Sequence, residues 1–385
     1  MIAESKYKTF YCKSKHIGFF CSGGIGLSFL PLCFILVLCL QTGYTQIHTF
    51  PSKVAEPGQT FVPVPVVYFT PETNWVFGAR ASYTFHLDSL HRRPSTIQLR
   101  GLYTLRKQFI SNLSFHIYRP EKRWELEGEL GYYDFVYKYW GIGNQSTDLR
   151  KESYSVQYPH LGISPTLVVS KYWRLGLTGD FNYYWDLRLE EEGELQRLQT
   201  TGVEGGFVNG VGFRIQYDGR DHTLFPISGF YASGKSILYH SLWGSDYAFT
   251  ASELDFRYFR NIAGGIIWAS QALFSFRSGP AIPYYHLSLL GGASMMRGHF
   301  EGRYRNHNMW AIQSELRFPV WRKYFVVPFV SVGDVFDFED YRRDFKFAGG
   351  AGLRYIVDHQ NRVTVRADVA YGHNFQFYLS ILEAF

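Results

Sequence analysis

The chain has 385 residues, a formal net charge of +6, 19% aromatic residues, 37 glycines and a mean hydropathy of −0.16. That average does not fit a helical membrane protein, which needs repeated apolar runs of about 20 residues. The weak positive balance gives no argument for nucleic acid, and no such partner is expected.

Residues 1–45 differ in kind from the rest. Lys6, Lys8, Lys13 and Lys15 precede an apolar stretch from Ile25 to Leu40, and the small residues Gly43 and Thr45 stand before a cut at Gln46. This is the pattern of a Sec signal peptide with a long charged lead; an apolar run of about 16 residues is short for a membrane anchor. Leu38 before Cys39 and Leu32 before Cys33 argue against a lipoprotein signal. All four cysteines, Cys12, Cys21, Cys33 and Cys39, lie in this segment. The chain beyond it therefore offers no disulfide, Cys-ligated metal or thiol nucleophile. Removing the segment's four lysines and one glutamate takes the formal charge from +6 to +3.

A short lead, 46–61, is followed from residue 62 to the end by strands with two unlike faces. FVPVPVVYFT and WVFGARASYTFHL flank a turn at Pro71 to Asn74. Ile97, Leu99 and Tyr103 oppose Gln98, Arg100 and Thr104; Trp124, Leu126 and Leu130 oppose Glu125, Glu127 and Glu129. Next come the glycine-bearing loop YKYWGIGNQST, 137–147, a strand with Leu175, Leu177 and Phe181 opposite Arg174, Asp180 and Asn182, and the acidic run Glu190 to Glu194. The run reads as a solvated loop rather than a divalent-cation site. The turn YDGRDHTLFPISGFYASG, 217–234, carries Asp218, Arg220, Asp221, Pro226 and Gly229, and its Asp/Arg chemistry suits side-chain to backbone bonds. Glu253, Asp255 and Arg257 then alternate with Leu254, Phe256 and Tyr258.

A Gly-rich loop with Arg297-Gly298 follows, and after it Ala311, Gln313, Glu315 and Arg317 face away from Trp310, Ile312, Ser314, Leu316 and Phe318. Near the end Arg362, Thr364, Arg366 and Asp368 alternate with Val363, Val365, Ala367 and Val369. Phe375, Phe377, Leu379, Ile381 and the terminal Phe385 fall on one face by period 2.

Soluble sandwiches also alternate, but their inner faces rarely hold charge. A polar lumen with lipid outside reverses the rule, so charge on one face of strand after strand points to a transmembrane antiparallel β-barrel. The runs number about sixteen, an even count that puts both ends in the periplasm and makes the Arg297 loop the sixth extracellular loop. Lumen carboxylates Glu125, Glu127, Glu253 and Asp368 are expected to pair with Arg100, Arg257 and Arg366.

GGASMMRGHFEGRYRN followed by SELRFP resembles the signature of the bacterial surface antigen family, the outer-membrane barrel superfamily that includes BamA and TamA. The Gly-Ile-Gly-Asn loop at 141–144 and the turn with Asp218, Arg220, Asp221, Pro226 and Gly229 are similar to further family motifs. The resemblance implies that the sixth loop folds into the lumen, with Arg297-Gly298 held against Glu315. The family usually has an Asp two residues before a Gly on the next strand. Here Ser331 precedes Gly333, and period 2 puts Asp334 on the opposite face unless a bulge intervenes. Glu315 is therefore expected to carry more of the anchoring. Phe385 resembles the sorting signal of outer-membrane barrels, which implies insertion by the barrel assembly machinery into the outer membrane of a Gram-negative bacterium. The lead 46–61 leaves no room for the periplasmic polypeptide-transport-associated domains of BamA-like members.

No G-x-S-x-G, P-loop, H-E-x-x-H or EF-hand pattern occurs, and His222, His286, His299, His307 and His373 are scattered, so no catalytic residue, cofactor or metal is expected. The resemblance implies a superfamily that inserts or moves polypeptides, and sometimes lipids. The first expectation is a dedicated secretion or lipid-handling barrel surrounded by outer-membrane lipid, as a homodimer or with a separate periplasmic partner. The alternative is a plugged structural or passive-pore barrel; an outer-membrane hydrolase, lacking a Ser/His constellation, comes third.

Overall fold

A chain of strands with one apolar and one charged face satisfies lipid, water and its own backbone together only by closing into a cylinder. The structure is a computed structural model and describes residues 59–87, 95–119, 123–339, 343–358, 362–383 and 385. The signal segment expected over 1–45 and residues 46–58 of the lead lie outside the described residues. Within them, sixteen antiparallel strands form one closed barrel.

In chain order the wall is β1 (Thr60–Thr70), β2 (Asn74–Phe85), β3 (Ser95–Thr104), β4 (Phe109–Arg119), β5 (Trp124–Tyr139), β6 (Glu152–Val168), β7 (Trp173–Arg188) and β8 (Gly206–Asp218). It continues with β9 (Gly229–Tyr239), β10 (Phe249–Ala263) and β11 (Ile266–Ser278). The long sixth extracellular connection then carries a small hairpin, β12 (Ser288–Leu290) with β13 (Tyr304–Asn306). The wall resumes as β14 (Asn308–Trp321), β15 (Tyr324–Phe336), β16 (Lys346–Asp358), β17 (Val363–Tyr371) and β18 (Phe375–Ile381). The first strand begins two residues before the expected barrel boundary.

Strand height is uneven. β5, β6 and β7 run 16, 17 and 16 residues, whereas β1 to β4 run 11, 12, 10 and 11 and the last two only 9 and 7. The extracellular rim is therefore low on both sides of the junction between β1 and β18. That junction is also thin: β1 pairs with β2 over every residue from Thr60 to Thr70, but with β18 only at Phe69↔Leu379. Pro63 and Pro65 remove two N–H donors from β1, as suits a strand with a weak neighbour. Outside the seam Phe69 packs on Phe377 at 5.8 Å and on Trp75 at 5.5 Å, part of an aromatic band at the extracellular edge.

Lumen and lipid faces separate by period 2. On β14 Ala311, Gln313, Glu315 and Arg317 are buried inside while Ile312 is exposed outside. β17 behaves alike, and Thr364 has no exposure and donates to Glu383 Oε1 at 2.8 Å. Mid-strand Val330 on β15 is 66% exposed on the lipid side. Arginine there should cost about 2–4 kcal/mol, as at a bilayer midplane. Arginine at Ser233, which lines a lumen cavity of about 340 Å³, should be tolerated. Unfolding in lipid with urea checks both, and equal tolerance would place the faces wrongly.

Candidate functional site

The connection between β11 and β14 folds down inside the wall. Its first part brings Tyr284 against Tyr139 and Tyr154 at 6.0 and 4.9 Å, and Leu195 from the β7–β8 loop joins the same buried cluster. These rings close the upper lumen. Further along, Arg297 reaches the wall with no side-chain exposure.

Arg297 lies between two carboxylates. Its Nη2 donates to Glu315 Oε2 on β14 at 3.0 Å, and its Nη1 to Asp368 Oδ2 on β17 at 2.7 Å. The guanidinium also stacks on the Phe329 ring at 3.7 Å. A fork of fixed donors suits this work because it spans two acceptors and stays charged when dry. Glu315 also accepts from Arg317 Nε at 2.8 Å and has Arg354 at 3.9 Å. Arg354 bonds both Asp368 and, at 2.7 Å, Glu383 just beyond β18. Arg366 sits 3.7 Å from Asp368 and donates to Ser380 Oγ and Ala293 O. Four guanidinium groups and three carboxylates thus form one dry network that ties the loop to β14, β16, β17 and the chain end.

Arg297 and Glu315 are brought together, but the expectation that Glu315 would bear the extra load is corrected. Asp368 supplies the second carboxylate from the opposite side. Ser331 donates to Ala348 O at 3.4 Å, and Phe329, one inward position earlier on β15, lies beneath Arg297. No bulge interrupts β14–β15 pairing between Gln313↔Ser331 and Trp310↔Asp334, so Asp334 keeps the opposite parity. Of the other expected lumen pairs, Asp368 does meet Arg366, at 3.7 Å, and the rest change partners. Glu125 pairs with Arg174 at 3.2 Å, Glu127 with Arg214, and Glu253 with Lys235 and Arg277 at 2.8 and 3.1 Å. Arg100 bonds Asn112, and Arg257 bonds Asp255. Period 2 assigns a face, while barrel stagger decides which heights meet. His116, Glu125 and Glu127 offer metal-like ligand spacing, yet Arg174 and Arg214 already neutralise the two carboxylates.

Gly298 follows with φ +108°, the left-handed region that favours glycine. Its N–H donates to Tyr378 Oη on β18 at 3.1 Å, and its carbonyl accepts from His373 N at 3.2 Å. Three residues on, Glu301 N donates to Glu72 Oε1 in the β1–β2 turn at 3.1 Å. The loop therefore holds both sides of the thin seam from within.

Loop 137–147 meets the sixth loop from above. Gly143 bridges to Arg305, and Arg303 Nη1 donates to Asp148 Oδ1 at 2.7 Å. That bond from Arg303 is the main reason the Asp148 carboxyl is held down at about 2. A lowered carboxyl pKa contributes stability that is complete above the unfolded value, about 3.9, and is lost as pH falls through the folded one. Protease sensitivity of loop 137–147 should therefore be flat from pH 8 to about 4 and rise only toward pH 2; a rise near pH 6 would contradict this. The effect should be modest, because Asp148 is well exposed and screened by solvent.

At the periplasmic end the turn after β8 folds inward as a floor. Asp218 holds Arg220 through two bonds of 2.9 Å. Asp221 accepts from Ile227 N and Ser228 N at 2.9 and 3.0 Å and from Arg362. Burial alone would raise the Asp221 pKa, but these donors outweigh it and hold the carboxyl below its usual range. Pro226 O accepts from Arg317 at 3.2 Å, which connects the floor to the Arg297 network. Gly229 has φ +116°, and a Cβ there would stand 2.4 Å from Gly219 O.

The face expected for Phe385 is corrected as well. It does not share the outer face with Phe375 and Ile381: β18 stops at Ile381, Leu382 takes φ +75°, and Phe385 is buried against Phe259 and Ala269.

A plugged sixteen-strand barrel of this kind has relatives. The Omp85 superfamily domain matches residues 90–376. Among solved structures, BamA from Haemophilus ducreyi lacking POTRA domains 1–3 aligns at 16% identity over 84% of this chain and 70% of that one, with a TM-score of 0.60. CdiB from Acinetobacter baumannii and from Escherichia coli each align at 12% identity over 85% of this chain, with TM-scores of 0.54 and 0.55. The chain spans 60% and 63% of the length of those two. No match is found among curated proteins. At such identities the solved structures show the fold, and the domain match over most of the chain shows the family: this protein belongs to the Omp85 superfamily.

Proposed function

We propose that this barrel handles polypeptides at the outer membrane, inserting or exporting them through a seam that opens between β1 and β18. The observation that carries the reading is the single paired position at Phe69↔Leu379 in a wall whose other neighbouring strands pair at seven positions or more. Every other neighbouring pair of wall strands shares a longer ladder, so a client strand can be templated at this junction at the smallest cost in hydrogen bonds. Arg297, Gly298 and Glu315 anchor the sixth loop on this reading, and the loop's contacts with Glu72 and Tyr378 keep the seam shut at rest. Supply of clients falls to a separate periplasmic partner or a second copy. The blocked lumen speaks against a passive pore, although a purely structural plugged barrel would look alike at rest.

The test uses a cysteine pair, Phe69→Cys with Leu379→Cys. Native cysteines occur only at 12, 21, 33 and 39, so the new pair has no competitor in the wall. In proteoliposomes the reduced variant should accelerate folding of a urea-denatured outer-membrane barrel, and oxidation should abolish this until reductant is added. Equal acceleration with the seam locked, or none in either state, would sink the reading. A large steady conductance in planar bilayers would favour the pore instead.

A further inference from the structure

Low hairpins on either side of the seam leave a notch in the extracellular rim, walled by the taller β5–β6 pair and floored by the sixth loop. A pocket of about 320 Å³ lies there, within the range of ligand sites, about 300–1,000 Å³. Three cations line it: Arg106 from the β3–β4 turn, Lys138 at the top of β5 and Lys151 from the loop before β6. Trp140, Phe300 and Phe375 supply the apolar part.

Most arginines of this barrel are matched to carboxylates, and these three cations are the contrast. Among the described residues none of them sits in an ion pair. The carboxylates with electrostatic reach to them, Glu72 toward Arg106 and Glu190 toward Lys138, are engaged with backbone N–H groups of Glu301 and Ser153 at 3.1 and 2.8 Å. Lys138 has only a hydroxyl, Ser153 Oγ, at 2.5 Å, and Lys151 lies 5.9 Å over the Trp140 ring. Three like charges gathered in one pocket, with no carboxylate in ion-pair contact, gain from an anion that joins them.

Height identifies that anion. The pocket sits directly above the aromatic band of Phe69, Trp75 and Phe377, where rings mark the boundary between hydrocarbon and headgroups. Phe375, 78% exposed at its outer lip, can lie along an acyl chain. We propose that the notch binds the phosphate of a phosphorylated outer-leaflet lipid, with Arg106, Lys138 and Lys151 as its ligands. The site rests on the barrel standing in an outer membrane and is independent of whether the seam opens. Its occupant would stand beside the β1–β18 junction and draw charged lipid to that part of the rim.

The full chain, folded in phosphatidylcholine nanodiscs doped with diphosphorylated lipid A, is tested for retained lipid by native mass spectrometry after dilution into phosphatidylcholine. Arg106→Gln/Lys138→Gln/Lys151→Gln should lower retention about tenfold or more, since each cation gives a charge-assisted bond. Should the triple variant fail to fold, Lys151→Glu, which changes only an exposed loop side chain, should still lower it. Dephosphorylated lipid A should be retained as poorly by wild type as diphosphorylated lipid A is by the variant. Equal retention of the two lipids, or no effect of either variant, overturns the site. Full displacement of the lipid by millimolar inorganic phosphate overturns its assignment to a lipid, because free phosphate would then be the occupant.

Discussion

Replacing Glu315 with alanine should destabilise the barrel by about 3–5 kcal/mol, the range for leaving buried charge without its partner. The residue has no side-chain exposure and serves three guanidinium groups, Arg297 at 3.0 Å, Arg317 at 2.8 Å and Arg354 at 3.9 Å. Arg297→Ala should cost less. It leaves Glu315 with Arg317 and Asp368 with Arg354, so neither carboxylate is orphaned. The double variant should be milder than the sum, because both single deletions break the same Arg297–Glu315 bond. Urea unfolding midpoints in lipid give all three values. Additive effects, or a larger loss for Arg297→Ala, would mean that the network is wetter and looser than its burial indicates.

Gly298→Val should loosen the sixth loop's hold on the wall. At φ +108° a β-branched residue costs about 1–3 kcal/mol in backbone strain. A Cβ would also stand 2.7 Å from both Gly372 N and the Tyr371 carbonyl carbon, and backbone atoms cannot move aside as a side chain can. That overlap adds about another 1–3 kcal/mol. Together these exceed the bonds from Gly298 to Tyr378 and His373, so the loop should loosen around Gly298 while the strands persist. Limited proteolysis between 291 and 303 should show new cleavage, and planar-bilayer conductance should rise. An intact loop with wild-type conductance would show that the close approach at Gly298 does not hold it.

Much of the barrel was legible because its solvent is inverted. Charge at Glu125, Glu127, Glu315 and Asp368 on strands that alternate with Val, Leu and Phe fits a polar lumen and little else, and counting such runs gives the wall. The Arg297–Glu315 pair was legible through resemblance, with only 18 positions between the two residues. Asp368, 71 positions from Arg297, was not. Period 2 tells which face a residue occupies, but which lumen side chain an inward-folded loop reaches depends on the loop's path and the barrel's stagger, which no local pattern records. Thr364 illustrates the same limit: its polar face suggests water, yet it is fully buried under Glu383. The inward turn of Phe385 rests on a left-handed leucine at 382, an exception to residue preference that sequence does not announce.

The thin seam bears on how the cylinder comes to be closed in time. Joining Phe69 to Leu379 fastens the ends of nearly the whole wall, and the entropy lost in such a closure grows with the logarithm of the chain between them. A single paired position returns little against that loss. What repays it lies inside. Arg297 with Asp368, Gly298 with Tyr378, and Glu301 with Glu72 all form between the sixth loop and the two ends of the wall. Closure should therefore be late and all-or-none, with the two edge strands arriving together only after the loop has entered the lumen to receive them.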